Sequence, residues 1–202
     1  MAILYHQKKN YYLINMNVTD AILEFNNMFS KNLCKKLVEY IDHRAKNKLH
    51  TYGKTDKRQV FGQSLDDRNI SDKIYFKLIQ REITKIYPLY KAKFPHIVTN
   101  KISQIDILKY PINHHYGVHT DHSAFTQRTL SIIINLNEEY EGGDLVFYNP
   151  SSFDKPDMSK DEVKRIKLKM GGIVFFPSIY LYPHSIQPIT KGVRYSLVSW
   201  LI

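Results

Sequence analysis

Two histidines and one aspartate are the residues of this sequence best suited to hold a metal ion. His119 and Asp121 are separated by one residue, so on an extended backbone both side chains leave the same face. His184 is the only histidine after His122, and it can supply a third ligand from a distant segment. Two imidazoles and a carboxylate on one side of an ion form a facial triad, the arrangement that holds non-heme Fe(II) with open coordination positions. The residue types therefore predict a metal site at His119, Asp121 and His184.

A second chemical feature is Arg194, which lies in an otherwise apolar terminal segment ten residues after His184. A buried guanidinium needs an anionic partner, and this segment contains no aspartate or glutamate. Ser196 shares the strand parity of Arg194, so the two side chains can hold one carboxylate together. Pairing of Arg194 with Asp106 or Asp144 is the open alternative. A dicarboxylate keto acid that chelates the metal and reaches Arg194 would satisfy both sites.

The composition is that of a basic globular protein. The 202 residues include 43% hydrophobic residues, and we expect a single domain over residues 1–202. The formal net charge of +10 favours polyanionic partners, although the basic residues are scattered rather than clustered. A single cysteine, Cys34, excludes an internal disulfide and a cysteine-based zinc site.

The chain carries no sequence signal for a membrane or for secretion. No apolar segment is long enough to cross a bilayer, and the initial "MAILYHQKKNYY" lacks the apolar centre of a secretory signal. We therefore expect a soluble, cytoplasmic protein without a membrane partner. The sequence does not indicate an oligomeric state.

The hydrophobic pattern predicts a short strand and two helices within residues 1–95. The first helix opens at the N-cap Ser30, and its apolar face is formed by Leu33, Leu37, Val38 and Ile41. The second helix is predicted to begin after Ser71 and to break or kink near Pro88. Its apolar side is formed by Ile74, Leu78, Ile79, Ile83 and Ile86. The polar, turn-rich residues 51–70 between the helices predict a loop.

Short strands separated by turn residues follow in residues 96–202, which predicts an α+β protein whose helices cover one face of a β-sandwich or barrel. The predicted strands are "IDILKY", "RTLSIIINL", "GDLVFYN", "VKRIKLK", "GIVFFP" and "VRYSLVSWLI". Leu130, Ile132 and Ile134 alternate with Ser131, Ile133 and Asn135 along one of them. We expect the first set to face the helices and the second to line a cavity.

These residues resemble the 2-oxoglutarate and Fe(II)-dependent dioxygenases, and within them the prolyl 4-hydroxylase-like group. The resemblance covers most of the chain, from "ILEFNNMFSKNLCKKLVEYI" to Trp200. Its motifs are Tyr110, Tyr116, His119, Asp121, Arg128, "GGDLVFY", "GGIVFFPS", His184, Gly192, Arg194 and Trp200. The resemblance implies that residues 96–202 form a double-stranded β-helix, a jelly-roll of the cupin type, with the N-terminal helices packed on one sheet.

The resemblance also implies roles for individual residues. His119, Asp121 and His184 would ligate Fe(II), and Arg194 would bind 2-oxoglutarate with Tyr110, Ser196 and Asn135 as further contacts. Tyr116, Arg128 and Trp200 match positions that face a substrate peptide. The sequence departs from the group in two respects. Members close to the oxygen-sensing hydroxylases carry a tyrosine where Asn135 stands, and many collagen-type members carry a lysine where Arg194 stands.

The implied activity is hydroxylation of an unactivated C–H bond, with a prolyl residue of a peptide or protein as the leading substrate. Dioxygen and 2-oxoglutarate would be consumed and succinate and carbon dioxide released, and the resemblance leaves a need for ascorbate open. Three alternatives remain: a nucleic-acid demethylase, a non-catalytic jelly-roll binding protein, and hydroxylation of a small metabolite. The demethylase is less favoured because Arg194 is the only arginine after His184.

Overall fold

The computed structural model describes residues 17–45, 50–55, 57–99, 101–150 and 160–202, with no side-chain description for residues 45 and 50–55. The initial segment used above to argue against a secretory signal lies outside these residues. Two α-helices are present in the described residues, α1 (Lys31–Ala45) and α2 (Ile70–Lys93), after a 3-10 turn at Val18–Ala21. Neither helix is long and apolar enough to cross a membrane.

Thirteen strands occur in the described part of the chain. They are β1 (Leu23–Phe25), β2 (His50–Thr55), β3 (Arg58–Ser64), β4 (Ile102–Tyr110), β5 (His115–His119), β6 (Leu130–Asn135), β7 (Tyr140–Gly142), β8 (Leu145–Tyr148), β9 (Glu162–Ile166), β10 (Ile173–Pro177), β11 (His184–Ile186), β12 (Ile189–Gly192) and β13 (Arg194–Leu201). All the strands predicted in residues 96–202 are confirmed.

The strands form one large antiparallel sheet and a small pair. The large sheet has the order β1-β10-β6-β13-β4-β3-β5-β11-β8-β9, with β2 added beside β3, and β12 pairs with β7. Strand β3 pairs with both β4 and β5 and so joins the two halves of the sheet. The sheet curls until its halves face each other, since Phe147 of β8 contacts Phe176 of β10 with ring centroids 4.9 Å apart.

The helices cover the outer face of one half of this sheet. Leu37 and Ile41 of α1 and Ile79 and Ile83 of α2 are buried in one cluster with apolar residues of β4, β6, β10 and β13. The same cluster contains Leu130, Ile132 and Ile134, which confirms the predicted outward face of β6. A second apolar cluster fills the inside of the curl, where Val174 and Phe176 of β10 meet Leu145 and Phe147 of β8.

Helix α1 begins as predicted, because the Ser30 hydroxyl accepts a hydrogen bond from the Leu33 backbone N–H at 3.2 Å. Helix α2 differs from its prediction at both ends. It starts at Ile70, earlier than expected, because the side chain of Asn69 caps it by accepting from the N–H groups of Ser71 and Asp72. It also continues through Pro88 to Lys93, so of the two predicted possibilities, a break or a kink, the break is wrong.

Tertiary contacts explain why α2 continues beyond Pro88. Proline costs a helix one backbone hydrogen bond, but the turn after it is anchored to the rest of the chain. Tyr90 is buried there and its hydroxyl donates to the Ala21 carbonyl at 3.0 Å. The predicted apolar side of α2 holds at Ile79, Ile83 and Ile86, whereas Ile74 is 53% exposed and does not belong to the core.

The predicted loop at residues 51–70 is the largest error in the sequence-based fold. Most of it is a hairpin, β2 and β3, followed by the start of α2. Strand β3 carries polar residues and Gly62, so its sequence does not show the alternation of apolar and polar residues that is typical of a strand. Its backbone is held by pairing on both sides, to β2 and β4, and Val60 is fully buried.

The packing of α1 on the sheet generates a stability prediction. Ile41→Ala should lower the free energy of unfolding by about 2–5 kcal/mol, because Ile41 is fully buried and its truncation leaves a cavity. Lys35→Ala, on the exposed side of the same helix, should change it by less than about 0.5 kcal/mol. Urea unfolding followed by circular dichroism measures both. Equal destabilisation by the two variants would contradict the placement of α1.

Candidate metal centre and adjoining cavity

Antiparallel pairing brings the three predicted metal ligands together. His184 of β11 is the direct register partner of His119 at the end of β5, and Asp121 follows β5 by two residues. The Nε2 atom of His119 lies 3.5 Å from Asp121 Oδ1, and the Nε2 atom of His184 lies 3.7 Å from Asp121 Oδ2. One ligand atom from each residue falls within 4.8 Å of the other two. Among the described residues, this is the cluster that could hold an ion.

The hydrogen bonds around the triad suit metal binding. The Nδ1 atoms of His119 and His184 lie 2.9 Å and 3.0 Å from the backbone oxygens of Gly117 and Tyr182. A carbonyl oxygen can only accept, so each Nδ1 carries the proton and each Nε2 keeps its lone pair for a ligand. Burial lowers the pKa of His184 to about 4, so this imidazole is neutral at neutral pH.

The carboxylate of Asp121 is held in its ionised form. Burial by itself would raise its pKa, but the positive charge that His184 carries at acid pH, the neighbouring His119 and the hydrogen bond from Ser131 outweigh burial and hold the pKa well below its usual range. The Ser131 hydroxyl donates to Asp121 Oδ2 at 2.6 Å and is itself 2.7 Å from the Ser178 hydroxyl. Two imidazole nitrogens and one carboxylate thus fit a divalent ion such as Fe(II).

A cavity of about 180 Å³ adjoins the triad, and two neighbouring strands form its wall by alternation. On β4, Gln104, Asp106, Leu108 and Tyr110 line the cavity, and Ile105 and Ile107 face the helices. On β13, Arg194, Ser196, Val198 and Trp200 line it, and Tyr195 and Leu197 face the helices. The register pairs Tyr110 with Arg194 at one end and Gln104 with Trp200 at the other.

Arg194 marks the first end of the cavity. It is 3% exposed, and its Nη1 donates to the Ser196 hydroxyl at 3.1 Å. Within the described residues it forms no ion pair, whereas Asp106 accepts from Ser64 and Gln104, and Asp144 pairs with Arg165. The two alternative partners considered for Arg194 are therefore engaged elsewhere. A buried guanidinium with one neutral partner is suited to an incoming carboxylate.

Tyr110 and Gly143 complete this end. The ring of Tyr110 lies 5.3 Å from the guanidinium carbon of Arg194, and burial raises the pKa of Tyr110, so its phenol keeps the proton and can donate. Gly143 has a φ of +69° and packs against the stem of Arg194. A Cβ at this position would lie 2.5 Å from Ile189 Cδ1 and 3.0 Å from Arg194 Cδ, which only glycine avoids.

Three aromatic and cationic side chains predicted to face a substrate lie around the other part of the cavity. The ring of Tyr116 stacks on that of His119 with centroids 3.6 Å apart, and the Arg58 guanidinium lies 4.4 Å from the Tyr116 centroid. The Arg128 guanidinium lies 3.4 Å from the Trp200 centroid. The structure thus groups Tyr116, Arg128 and Trp200 beside the triad, and their roles stay predictions.

Asn135 is a correction to the expected cosubstrate contacts. It does not line the cavity, because its amide group donates to the backbone oxygens of Asn137 at 2.6 Å and Leu168 at 2.9 Å. Its Oδ1 accepts from the Tyr140 hydroxyl at 3.1 Å. The side chain is therefore committed to bonds that hold the local backbone.

Sequence reasoning missed several residues of the cavity. Gln104 and Asp106 share the strand parity of Tyr110, so the alternation along β4 could have indicated them. Arg58 carried no such signal, because its strand was predicted as a loop. His114 and His115 stay outside the triad, with their Nδ1 atoms near the Ile112 and Asn113 backbone oxygens.

Comparison with known proteins agrees with this geometry. Residues 105–202, which contain the triad and Arg194, match the family model of the 2OG-Fe(II) oxygenase superfamily. A curated relative named PKHD-type hydroxylase, from Synechococcus sp. strain JA-2-3B'a(2-13), is 30% identical over 108 residues. That match covers 50% of this chain and 43% of the relative, so the chain spans less than half of that protein.

Two solved structures are similar to this chain in fold. A prolyl-4-hydroxylase from Pseudomonas putida has a TM-score of 0.70 and 18% identity, over 91% of this chain and 96% of that one. A prolyl hydroxylase from Trichoplax adhaerens, in complex with a peptide fragment of the hypoxia inducible factor, has a TM-score of 0.68 and 16% identity. That match covers 91% of this chain and 84% of the other. At these sequence identities the similarity shows a shared fold alone.

The triad geometry predicts how metal affinity depends on each side chain. His184→Ala should lower the affinity for Mn(II) by more than about 100-fold, and Ser131→Ala by about 10–100-fold, because Ser131 holds the Asp121 carboxylate in place. His114→Ala should leave the affinity unchanged. Isothermal titration with Mn(II) measures all three variants. An unchanged affinity in His184→Ala would contradict the site.

Proposed function

We propose that this protein is a 2-oxoglutarate- and Fe(II)-dependent dioxygenase that hydroxylates a prolyl residue of a peptide or protein. The observation that carries the proposal is a buried Arg194 without an ion pair among the described residues, in the same cavity as a complete triad. We further propose a single catalytic domain over residues 1–202 with a double-stranded β-helix core, for which the curled antiparallel sheet is suitable.

The metal site at the triad and Arg194 would bind different parts of the cosubstrate. Arg194 and Ser196 would take one carboxylate of 2-oxoglutarate, and the Tyr110 phenol could donate a further hydrogen bond. When Fe(II) is held by the triad, it supplies activation of dioxygen, with oxidative decarboxylation of 2-oxoglutarate coupled to C–H hydroxylation. One oxygen atom of dioxygen enters the new hydroxyl group and the other enters succinate, while carbon dioxide leaves.

The chain's own residues orient the reactants and limit access of water. Leu108, Ile133 and Val198 line the cavity with apolar side chains, so the polar groups act in surroundings of low dielectric constant. His119 and His184 keep their Nε2 atoms free through bonds from Nδ1 to the backbone, and Ser131 fixes the Asp121 carboxylate. These contacts hold the ligands before any metal is bound.

A prolyl substrate is supported by the surroundings of the triad and by the relatives. The rings of Tyr116 and Trp200 and the guanidinium of Arg128 lie in the cavity beside the metal ligands. Aromatic faces and a fixed guanidinium suit an apolar ring flanked by carbonyl groups. The curated relatives carry the name PKHD-type hydroxylase, and the fold is similar to that of prolyl hydroxylases.

Arg194 provides a direct test of cosubstrate binding. Arg194→Gln should weaken 2-oxoglutarate binding by about 30-fold or more, because one partner of a buried charge pair is removed. Arg165→Gln, which removes an exposed arginine from ion pairs with Glu162 and Asp144, is the matched control and should have no effect. Anaerobic titration of the Mn(II)-loaded protein measures the dissociation constants. Equal affinity in wild type and Arg194→Gln would contradict the assignment.

The reaction itself is tested with peptides. We expect the protein, supplied with Fe(II), 2-oxoglutarate and dioxygen, to add one oxygen atom to proline-containing peptides and to form succinate in equal amount. Mass spectrometry of a peptide library measures both products, with and without ascorbate. Asp121→Ala is the inactive control. Turnover stimulated by methylated single-stranded DNA or by free amino acids, with unmodified peptides, would replace the prolyl substrate by one of the alternatives.

A further inference from the structure

Asp106 is a buried carboxylate in the cavity that the proposed reaction does not use. It is 4% exposed and lies on β4 with Tyr110 and Leu108 on the same face. Its Oδ1 accepts two hydrogen bonds, from the Ser64 hydroxyl at 2.6 Å and from Gln104 Nε2 at 2.6 Å. Among the described residues, Oδ2 takes part in no hydrogen bond and the carboxylate forms no ion pair. Since Asp106 lines the cavity, its Oδ2 is available to accept a hydrogen bond from a ligand bound there.

The position of Asp106 separates it from the cosubstrate end. It is the register partner of Val198, and Tyr110, four residues along the same strand, is the partner of Arg194. Four residues of a strand span about 13 Å. Asp106 therefore lies toward the end of the cavity that contains Gln104 and Trp200, away from the proposed site of 2-oxoglutarate.

Hydrogen-bond donors accompany this acceptor. The indole Nε1 of Trp200 is buried and has no hydrogen-bond partner among the described residues, and the Arg128 guanidinium lies over the Trp200 ring. Arg58 adds a second guanidinium to the lining of the cavity. The positive charges of Arg58 and Arg128 disfavour a cationic ligand, and an anionic group such as a phosphate has no donor to offer the Asp106 carboxylate. A neutral group that carries both a hydrogen-bond donor and an acceptor can bond to the Asp106 carboxylate and to the donors at this end of the cavity.

We infer that Asp106 is a substrate-binding residue that accepts a hydrogen bond from a backbone N–H of a polypeptide substrate, while Arg128 and Trp200 donate to a carbonyl group of the same segment. A peptide backbone supplies a neutral N–H and a C=O at short spacing, as this end of the cavity requires. A prolyl residue has no N–H, so the donor is the backbone of a neighbouring residue. The inference rests on the proposed function and narrows its substrate to a polypeptide bound through its backbone.

Trp200 allows occupancy of this end to be measured without turnover. It is the only tryptophan of the sequence, so intrinsic fluorescence reports on this part of the cavity. The Mn(II)- and N-oxalylglycine-loaded protein is titrated with three probes: end-capped proline-containing peptides, free proline, and methylated single-stranded DNA. We expect saturable quenching by the peptides, and no response to the other two probes.

Asp106→Asn changes the proposed acceptor with little other change. The asparagine Oδ1 can still accept from Ser64 and Gln104. An NH₂ group replaces Oδ2, and because it is a donor it cannot accept a hydrogen bond from the substrate N–H. We expect peptide affinity to fall by about 10-fold or more, as for loss of a hydrogen bond to a charged group. Affinity for 2-oxoglutarate should stay within about twofold, because Arg194 lies at the other end.

Asp42→Asn is the matched control. Asp42 accepts from Lys109 of β4 at 2.6 Å and from the Tyr195 hydroxyl at 2.7 Å, and it is absent from the cavity lining. Its substitution should leave peptide affinity unchanged. If Asp106→Asn fails to fold, Arg128→Gln is the second variant, because it removes a donor and preserves the bonds of Asp106. It should weaken peptide binding to a similar extent.

The outcomes separate this inference from the proposed function. Peptide affinity that is equal in wild type, Asp106→Asn and Arg128→Gln would overturn the role of Asp106, even if the wild type hydroxylates proline. Absence of quenching by every peptide, or quenching by free proline or DNA alone, would overturn the polypeptide class. Loss of 2-oxoglutarate binding in the wild type would instead remove the proposed reaction, whatever the peptides do.

Discussion

The pairing of β11 with β5 is the contact on which the rest of the site depends. It brings His184 opposite His119, although 64 residues separate them in sequence, and Asp121 follows directly from β5. A shift of one residue in this register would turn the His184 side chain to the opposite face of the sheet. The register is fixed from both sides, because β11 also pairs with β8, and Ile186 and Phe147 are buried in the inner cluster.

Alternation along the central strands forms a cavity beside this pairing. In β4, β6 and β13, one set of side chains packs under the helices and the other faces the inside of the curl. The apolar outer set stabilises the sheet, which leaves the inner set free to carry charged and polar groups. Arg194 and Asp106 are the two charged residues of this inner wall, at different positions along paired strands, and each lacks an ion-pair partner among the described residues. Their separation underlies the proposal that one end of the cavity binds an anion and the other binds a hydrogen-bond donor.

Much of this arrangement could be predicted from the sequence, because chemistry and periodicity both leave local signals. The triad was indicated by residue type, by the spacing of His119 and Asp121, and by His184 being the only later histidine, and the resemblance to a known family implied the same three ligands. The faces of β6 followed from its alternation. Residues 51–70 could not be assigned in this way, since β3 is stabilised by neighbours on both edges rather than by its own composition.

Other errors have the same origin in tertiary context. Asn135 has the parity of a cavity residue, yet hydrogen bonds to the backbone of Asn137 and Leu168 hold its side chain outside the cavity. Helix α2 passes Pro88 because Tyr90 is anchored to Ala21. Asp106 was considered only as a partner of Arg194, because its bond to Ser64 depends on β3, a strand that the sequence did not predict.

A crystal structure of the protein with Mn(II) and N-oxalylglycine tests the central claim most directly. The account predicts one ion coordinated by the Nε2 atoms of His119 and His184 and by the Asp121 carboxylate, with the distal carboxylate of N-oxalylglycine on Arg194. An ion bound without His184, or an analogue whose carboxylate lies away from Arg194, would contradict it.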